Sequence, residues 1–186
     1  IKETRQWEKR FKLKRKVLYK HGYAPIDNLM LQAHKSYTIP EFSKEIHVLV
    51  APSWGPNGLL ETMGETVVTE LLNAGYKVTV RPHPRTNEHT PLVMSSLTKL
   101  FSSNKRFNQE QSIASFDSLL AADIMISDWS GAALEFAFGL ERPVLFIDLP
   151  PKVNNSGYEQ IEATPLEVFL RDKVGSILQP EKIDTI

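Results

Sequence analysis

Residues 122–148, ADIMISDWSGAALEFAFGLERPVLFID, restrict the fold more than any other part of the chain. The apolar run Ile124-Met125-Ile126, set between Asp123 and Ser127, has the length and composition of a buried strand. The polar turn Asp128-Trp129-Ser130-Gly131 follows, then an apolar helical run over residues 132–140. Glu141-Arg142-Pro143 stops that helix, and residues 144–147 read as a second buried strand. Strand, polar turn, helix and strand make a βαβ unit. Its ligand-facing part is the turn, where Ser130 caps the helix and the N–H groups of the first turn present an anion site. The expected occupant is a phosphate of a nucleotide-linked substrate.

The same rhythm runs through residues 46–148. Residues 46–51 (IHVLVA) read as a buried strand, Pro52-Ser53-Trp54-Gly55-Pro56-Asn57-Gly58 as a loop, and residues 59–74 as a helix ended by Gly75. Residues 77–81 (KVTVR) form the next strand, followed by Pro82-His83-Pro84-Arg85. Thr90-Pro91 opens a helix to about Ser102, Phe107 sits on an edge strand, and residues 115–121 form a short helix capped by Ser115 or Asp117. Strands alternating with helices predict an α/β fold: a Rossmann-like open parallel sheet with helices on both faces. After Asp148 the pattern weakens, with a polar loop over 150–157 and two short apolar pieces, 165–170 and 174–178, left unassigned. Residues 1–44 read as a basic arm and inter-domain linker, the linker at 35–45, and residues 45–186 as the nucleotide-donor-binding domain.

Composition removes several function classes. The 22 basic and 22 acidic residues cancel, which argues against a nucleic-acid binder. The absence of cysteine excludes disulfides and thiolate chemistry and permits a cytoplasmic setting. Basic charge gathers in residues 1–20, from Lys2 to Lys20, where only Glu3 and Glu8 oppose it. A solvated helix or tail explains that arm, as does docking on an anionic membrane surface from the cytoplasmic side. The ends, Ile1 and Ile186, read as those of a piece cut from a longer chain.

In an open parallel sheet, ligands bind beyond the carboxyl ends of the strands, where the strand order reverses. Three unusual loops follow strands and must share that edge: Ser53-Trp54-Gly55, Arg81-Pro82-His83-Pro84 and Asp128-Trp129-Ser130-Gly131. Ser130, with the N–H groups of Ser130, Gly131 and Ala132, is a candidate phosphate ligand, or else an ordinary helix cap. His83 is a candidate to neutralise a diphosphate or protonate a leaving phosphate, or else a surface loop histidine. Arg81 and Arg85 strengthen the anion reading. Asp128 and Glu135 would repel a diphosphate and suit a ribose hydroxyl or helix capping instead. Trp54 and Trp129 either stack on a base or pack in the interior. No dinucleotide fingerprint, P-loop, His-Glu-x-x-His or Asp-x-Asp pair occurs, and a phosphate site of this kind needs no metal or other cofactor.

Five pieces, in order, resemble the CDP-glycerol glycerophosphotransferases, the teichoic-acid-type polymerases and primases. Gly22-Tyr23-Ala24-Pro25-Ile26-Asp27-Asn28-Leu29 resembles the segment where such chains leave their first half. Val48-Leu49-Val50-Ala51-Pro52-Ser53-Trp54 resembles the first strand and Ala-Pro-Thr-aromatic loop of the second half, and Arg81-Pro82-His83-Pro84 its Arg-x-His-Pro. Ala122-Asp123-Ile124-Met125-Ile126-Ser127-Asp128-Trp129-Ser130 resembles its Ser-Asp-x-Leu-Ile-Thr-Asp-Tyr-Ser-Ser, and Arg142-Pro143-Val144-Leu145-Phe146 its Lys-Pro-Ile-Ile-Phe. The resemblance spans about residues 20–150. It implies the C-terminal half of a GT-B fold, with CDP-glycerol or a related nucleotide-diphosphate donor on this half. A polyol-phosphate or saccharide acceptor, and a general base, would belong to an N-terminal half of the same chain. His83 would sit at the diphosphate as the catalytic residue, Ser130 and the following N–H groups would hold phosphate oxygens, and Ser53 would line the crevice. Here Gly131 replaces the family's second Ser, Trp129 its Tyr, and Glu135 the Asp a turn later. The expected reaction moves glycerol phosphate to a polymer hydroxyl and releases CMP; residues 1–186 alone are expected to bind nucleotide weakly and catalyse nothing. The alternatives are a GT-B glycosyltransferase using a sugar nucleotide and a non-catalytic α/β binding module.

Overall fold

Strand formation follows the apolar runs closely. In a computed structural model that describes residues 1–35, 45–110, 114–151, 157–160 and 164–186, the four residues of β1 (His47–Val50) are all buried. The predicted linker at 35–45 and the polar loop at 150–157 fall largely outside the described residues. Ahead of β1 lie α1 (Lys2–Arg10) and α2 (Ala24–Lys35). After it come α3 (Leu59–Asn73), β2 (Lys77–Val80), α4 (Pro84–His89), α5 (Pro91–Phe101), β3 (Phe107–Gln109) and α6 (Asp117–Ala121). The chain continues through β4 (Ile124–Ser127), α7 (Gly131–Leu140), β5 (Val144–Ile147), α8 (Leu166–Val174) and β6 (Gly175–Leu178).

Among the described residues the sheet has six strands, in the order β3-β2-β1-β4-β5-β6, and every pairing is parallel. The chain runs outward from β1 to β3, returns to β4 beside β1, and runs outward the other way. The order therefore reverses between β1 and β4, with Val48 opposite Ile124 and Val50 opposite Ile126. Alternation along the strands divides the core. Val48, Val50, Val78, Val80 and Ile126 face α3 and α5, whereas Leu49, Ala51, Met125 and Phe146 face α2, α6 and α7. Helices cover both faces, as the alternation of strands and helices predicts. Burying a Val, Leu or Phe side chain stabilises by about 1.5–3 kcal/mol, so both layers matter.

Several elements differ from the sequence expectation. Helix α2 starts at Ala24, within the segment that resembles the family's exit from its first half, because Pro25 is tolerated in a first turn. Its Leu29 is 1% exposed and seats on α7 at Gly139, where any side chain would crowd the leucine. Helix α4 occupies what reads as loop, since Pro-Arg-Thr-Asn-Glu-His has no apolar period. The two unassigned pieces are α8 and β6; β6 is an edge strand, partly exposed and without clear alternation.

Candidate functional site

At the carboxyl edge, where the strand order reverses, the loops are built around Asp128. Leaving β4, its side chain is 1% exposed and points toward the neighbouring loop after β1. Its Oδ1 accepts from Ser53 N at 2.6 Å, and its Oδ2 from Ser53 Oγ at 3.0 Å and Leu59 N at 3.1 Å. A carboxylate holding two main-chain N–H groups and a hydroxyl is a strong clamp, and one of those groups belongs to the first turn of α3, where negative charge is favoured. One residue earlier, Ser127 Oγ donates to Ala51 O at 2.8 Å. The strands at the reversal point are thus tied to each other's exit loops. Asp128, expected at a ribose hydroxyl or as a helix cap, is 1% exposed and bonds to the loop after β1 and to the first turn of α3. The Ser53 hydroxyl lies in the same bond network.

The turn that follows is open. Ser130 is the N-cap of α7, with φ −88° and ψ 133°, yet its side chain makes no capping bond. Gly131 and Ala132 open the helix, where N–H groups have no intrahelical acceptor. Gly131 is exposed, and a Cβ built there meets nothing within 4 Å. Glu135, one turn on, accepts a hydrogen bond from Tyr23 Oη at 2.7 Å. That bond, with some desolvation, raises the Tyr23 pKa above its ordinary value of 10.0. Glu135 therefore ties α7 to the chain ahead of α2. Trp129 packs: its Nε1 donates to Leu149 O at 2.7 Å, and the buried Arg171 guanidinium lies 3.8 Å from its ring centre.

Across the edge, His83 is the N-cap of α4, and its Nδ1 accepts from Arg85 N at 3.1 Å. With Nδ1 accepting, Nε2 is the ring nitrogen that donates. Trp54 bridges this loop to the Asp128 clamp. Its ring is 6.0 Å from the His83 ring and 5.3 Å from that of His89, and Arg85 Cζ stands 4.7 Å from its centre. Arg85 is exposed and makes no ion pair among the described residues. Arg81 behaves differently from the anion-binding expectation. Its Nη1 meets both Glu110 oxygens at 2.9 and 2.8 Å and Ser118 Oγ at 3.0 Å, with the pair 10% and 14% exposed. Glu110 neutralises the charge that was expected to face a phosphate.

Among the described residues, no cluster of three or more His, Asp or Glu side chains is arranged to hold a metal, and no helix is long and apolar enough to cross a membrane. A groove of about 630 Å³ lies between α3 and α5, lined by Leu60, Met63, Leu97 and Leu100 among others, away from the Ser130 turn. The sequence does not single out Glu110 or Tyr23 as partners: Glu110 falls in a stretch without periodicity, and Tyr23 stands out only within the Gly22–Leu29 segment.

The model of the family described as CDP-Glycerol:Poly(glycerophosphate) glycerophosphotransferase matches residues 2–149, well over half of the chain. The chain belongs to that family. Ser53, His83, Ser130 and the α7 first turn all lie within the part of this glycerophosphotransferase-family chain that matches. No curated protein matches it in sequence. Among solved structures it is similar to a variant of the wall teichoic acid polymerase TagF soaked with CDPG, at 18% identity and a TM-score of 0.41, over 69% of this chain and 31% of that one. A second structure of a TagF variant gives 16% and 0.43, over 69% and 33%. KpsC of Thermosulfurimonas dismutans, a beta Kdo 2,7 transferase, gives 15% and 0.38, over 68% and 42%. The chain spans about a third of TagF's length and about two fifths of KpsC's.

Proposed function

We propose that this chain is the donor-binding half of a GT-B glycerophosphotransferase that moves glycerol phosphate from CDP-glycerol to a polymer hydroxyl. The observation that carries the reading is the open first turn of α7 at the strand-order reversal, with Ser130 uncapped and Gly131 unobstructed. Oxygens of the diphosphate accept from the Gly131 and Ala132 N–H groups and the Ser130 hydroxyl. His83 Nε2 and the Arg85 guanidinium add donors from the opposite loop. The acceptor oxygen attacks the β-phosphorus, the bridging P–O bond breaks, and CMP leaves with the bonding pair. The acceptor's proton goes to a base outside this half. The protein's share of the barrier is electrostatic, because fixed donors face the charge as it moves onto the leaving phosphate.

Titration calorimetry of the chain and of the full-length protein with CDP and CDP-glycerol tests this. Binding that weakens in His83→Ala and Ser130→Ala supports it; no heat from either ligand with either protein sinks it. A sugar nucleotide is the second reading, favoured by Gly131, which removes a hydroxyl that the family pattern supplies. Product analysis with CDP-glycerol against UDP- and CMP-sugars separates the two.

The basic arm fits an anionic membrane surface. Beside its lysines and arginines it exposes Phe11, Leu13, Val17 and Tyr19, the last two by 78% and 81%. Interleaved cationic and apolar groups suit a headgroup layer. Co-sedimentation with phosphatidylglycerol but not phosphatidylcholine vesicles is the expected result, and equal behaviour with both would refute the attachment.

A further inference from the structure

Helix α4 cannot hold its own position. It has six residues, and Pro84, Arg85, Asn87, Glu88 and His89 are exposed; a helix this short is unstable alone in water. Its buried residue is Thr86. Thr86 Oγ1 donates to Glu61 Oε1 at 3.1 Å, and Thr90 Oγ1, at the far cap, reaches the same oxygen at 3.2 Å. Glu61 lies in the first turn of α3, three residues after the Gly58 N-cap. From that position a glutamate ordinarily folds back onto the N-cap N–H. Here Gly58 N bonds instead to Gly55 O at 2.8 Å, and the carboxylate turns toward α4. Glycine at 58 makes room, since a Cβ there would collide with Glu61 Oε2. That second oxygen is buried without a hydrogen-bond partner among the described residues. The hydrogen bonds this carboxylate accepts therefore come from α4 and its cap. Two residues earlier, Leu59 N is held by Asp128, so α3 joins the β4 exit to α4 through two carboxylates.

We propose that Glu61 is a positioning residue of the crevice. By holding Thr86 and Thr90 it fixes α4 against α3, and so sets where His83 and Arg85 stand relative to Ser53 and the first turn of α7. Its effect on binding rests on the donor reading given above; its effect on α4 does not.

The test uses the full-length protein labelled with 5-fluorotryptophan, with the Trp54 resonance assigned by its loss in Trp54→Phe. That ring touches His83, Arg85 and His89, so its ¹⁹F shift reports the placement of α4 without any ligand. Glu61→Ala is expected to move the resonance and weaken CDP binding about tenfold. Glu61→Gln, which keeps an acceptor oxygen for both hydroxyls, is expected to restore the resonance and bring affinity within about twofold of wild type. Thr90→Val, at a partly exposed site, removes the hydroxyl that is shared between Glu61 Oε1 at 3.2 Å and Thr86 O at 3.1 Å; it keeps the test alive should Glu61→Ala fail to fold, and should move the resonance the same way. An unmoved Trp54 resonance in folded Glu61→Ala or Thr90→Val overturns the proposal, as does a Glu61→Gln protein as impaired as Glu61→Ala. Should wild type bind neither CDP nor CDP-glycerol while the resonance follows the Glu61 variants as expected, the donor reading fails and the anchoring of α4 stands.

Discussion

Two sets of polar residues share the carboxyl edge of the sheet and behave in opposite ways. Asp128, Arg81 and Arg171 are buried or nearly so, and each is held by specific partners: the loop after β1, Glu110, and Asp148 with the Trp129 ring. Ser130, Gly131, His83 and Arg85 stand at the surface or half-exposed. The buried set contains the residues whose charge most invites a ligand-binding assignment, yet those charges are already balanced or solvated by fixed hydrogen bonds. The exposed set is rich in donors that the proposed diphosphate would meet: main-chain N–H groups at the start of α7, the Ser130 hydroxyl and the Arg85 guanidinium. The paired charges hold the loops still, and fixed donors need no reorganisation when a charged ligand arrives.

The sharpest way to break this division is Asp128→Ala. If Asp128 is a clamp, its loss strands Ser53 N and Leu59 N in a buried place, and stability should fall by about 3 kcal/mol, read by urea denaturation. A change within about 0.5 kcal/mol, coupled with lost nucleotide affinity, would move Asp128 to the ligand-facing set. His83→Ala asks the reverse. Transfer should drop about a hundredfold. Stability should change by about 1 kcal/mol, the scale of a lost helix cap. A large stability loss with unchanged turnover would place His83 in the scaffold.

The two arginines sharpen the comparison at smaller amplitude. Arg81→Ala leaves Glu110 partly buried and unpaired, and should cost about 2 kcal/mol after allowing for its residual exposure. Arg85→Ala, at the surface on Trp54, should stay within about 0.5 kcal/mol yet weaken CDP binding and flatten its salt dependence. Equal stability costs for the two would erase the distinction.

Much of the scaffold was legible from residues alone, and the division between the two sets was not. The runs at 46–51 and 124–126 are apolar because both faces of a parallel strand are covered, so β1 and β4 stand out, and their loops could be placed on one edge. Edge strand β6 is only partly exposed on both faces and carries no such run. Helix α4 is held by a carboxylate on another helix, which leaves no periodic trace in its own six residues. Asp128 and Arg81 look ligand-facing because they directly follow strands, but what removes them from the surface lies far off in sequence. Asp128 finds Ser53 75 residues away, and Arg81 finds Glu110 29 residues away. Local patterns specify which element a side chain leaves from; its partner depends on which strands become neighbours. Ser130 carries a weaker local signal, and what distinguishes it is the uncapped, unobstructed start of α7, which only the assembled edge reveals.

The smallest effect concerns Glu135, expected as a substrate contact and found bonded to Tyr23. If that bond belongs to the scaffold, Tyr23 should ionise above the ordinary 10.0 because the Glu135 carboxylate holds its proton, with desolvation adding to the shift. The sign follows from linkage. A tyrosine that keeps its proton more firmly when folded contributes stability that is fully present below the unfolded value and is lost as pH rises through the raised folded one. The hold of Tyr23 on α7 is therefore intact at neutral pH and weakens only in alkali. Absorbance titration at the tyrosinate band, with the Tyr23 component isolated by difference against Tyr23→Phe, should give a raised midpoint that returns toward the ordinary value in Glu135→Gln. Bound CDP should leave that midpoint unchanged if Glu135 serves only to tie α7 to the chain before α2. A midpoint that falls when nucleotide binds would mean the ligand takes Glu135 from Tyr23, and Glu135 would cross from the scaffold to the crevice.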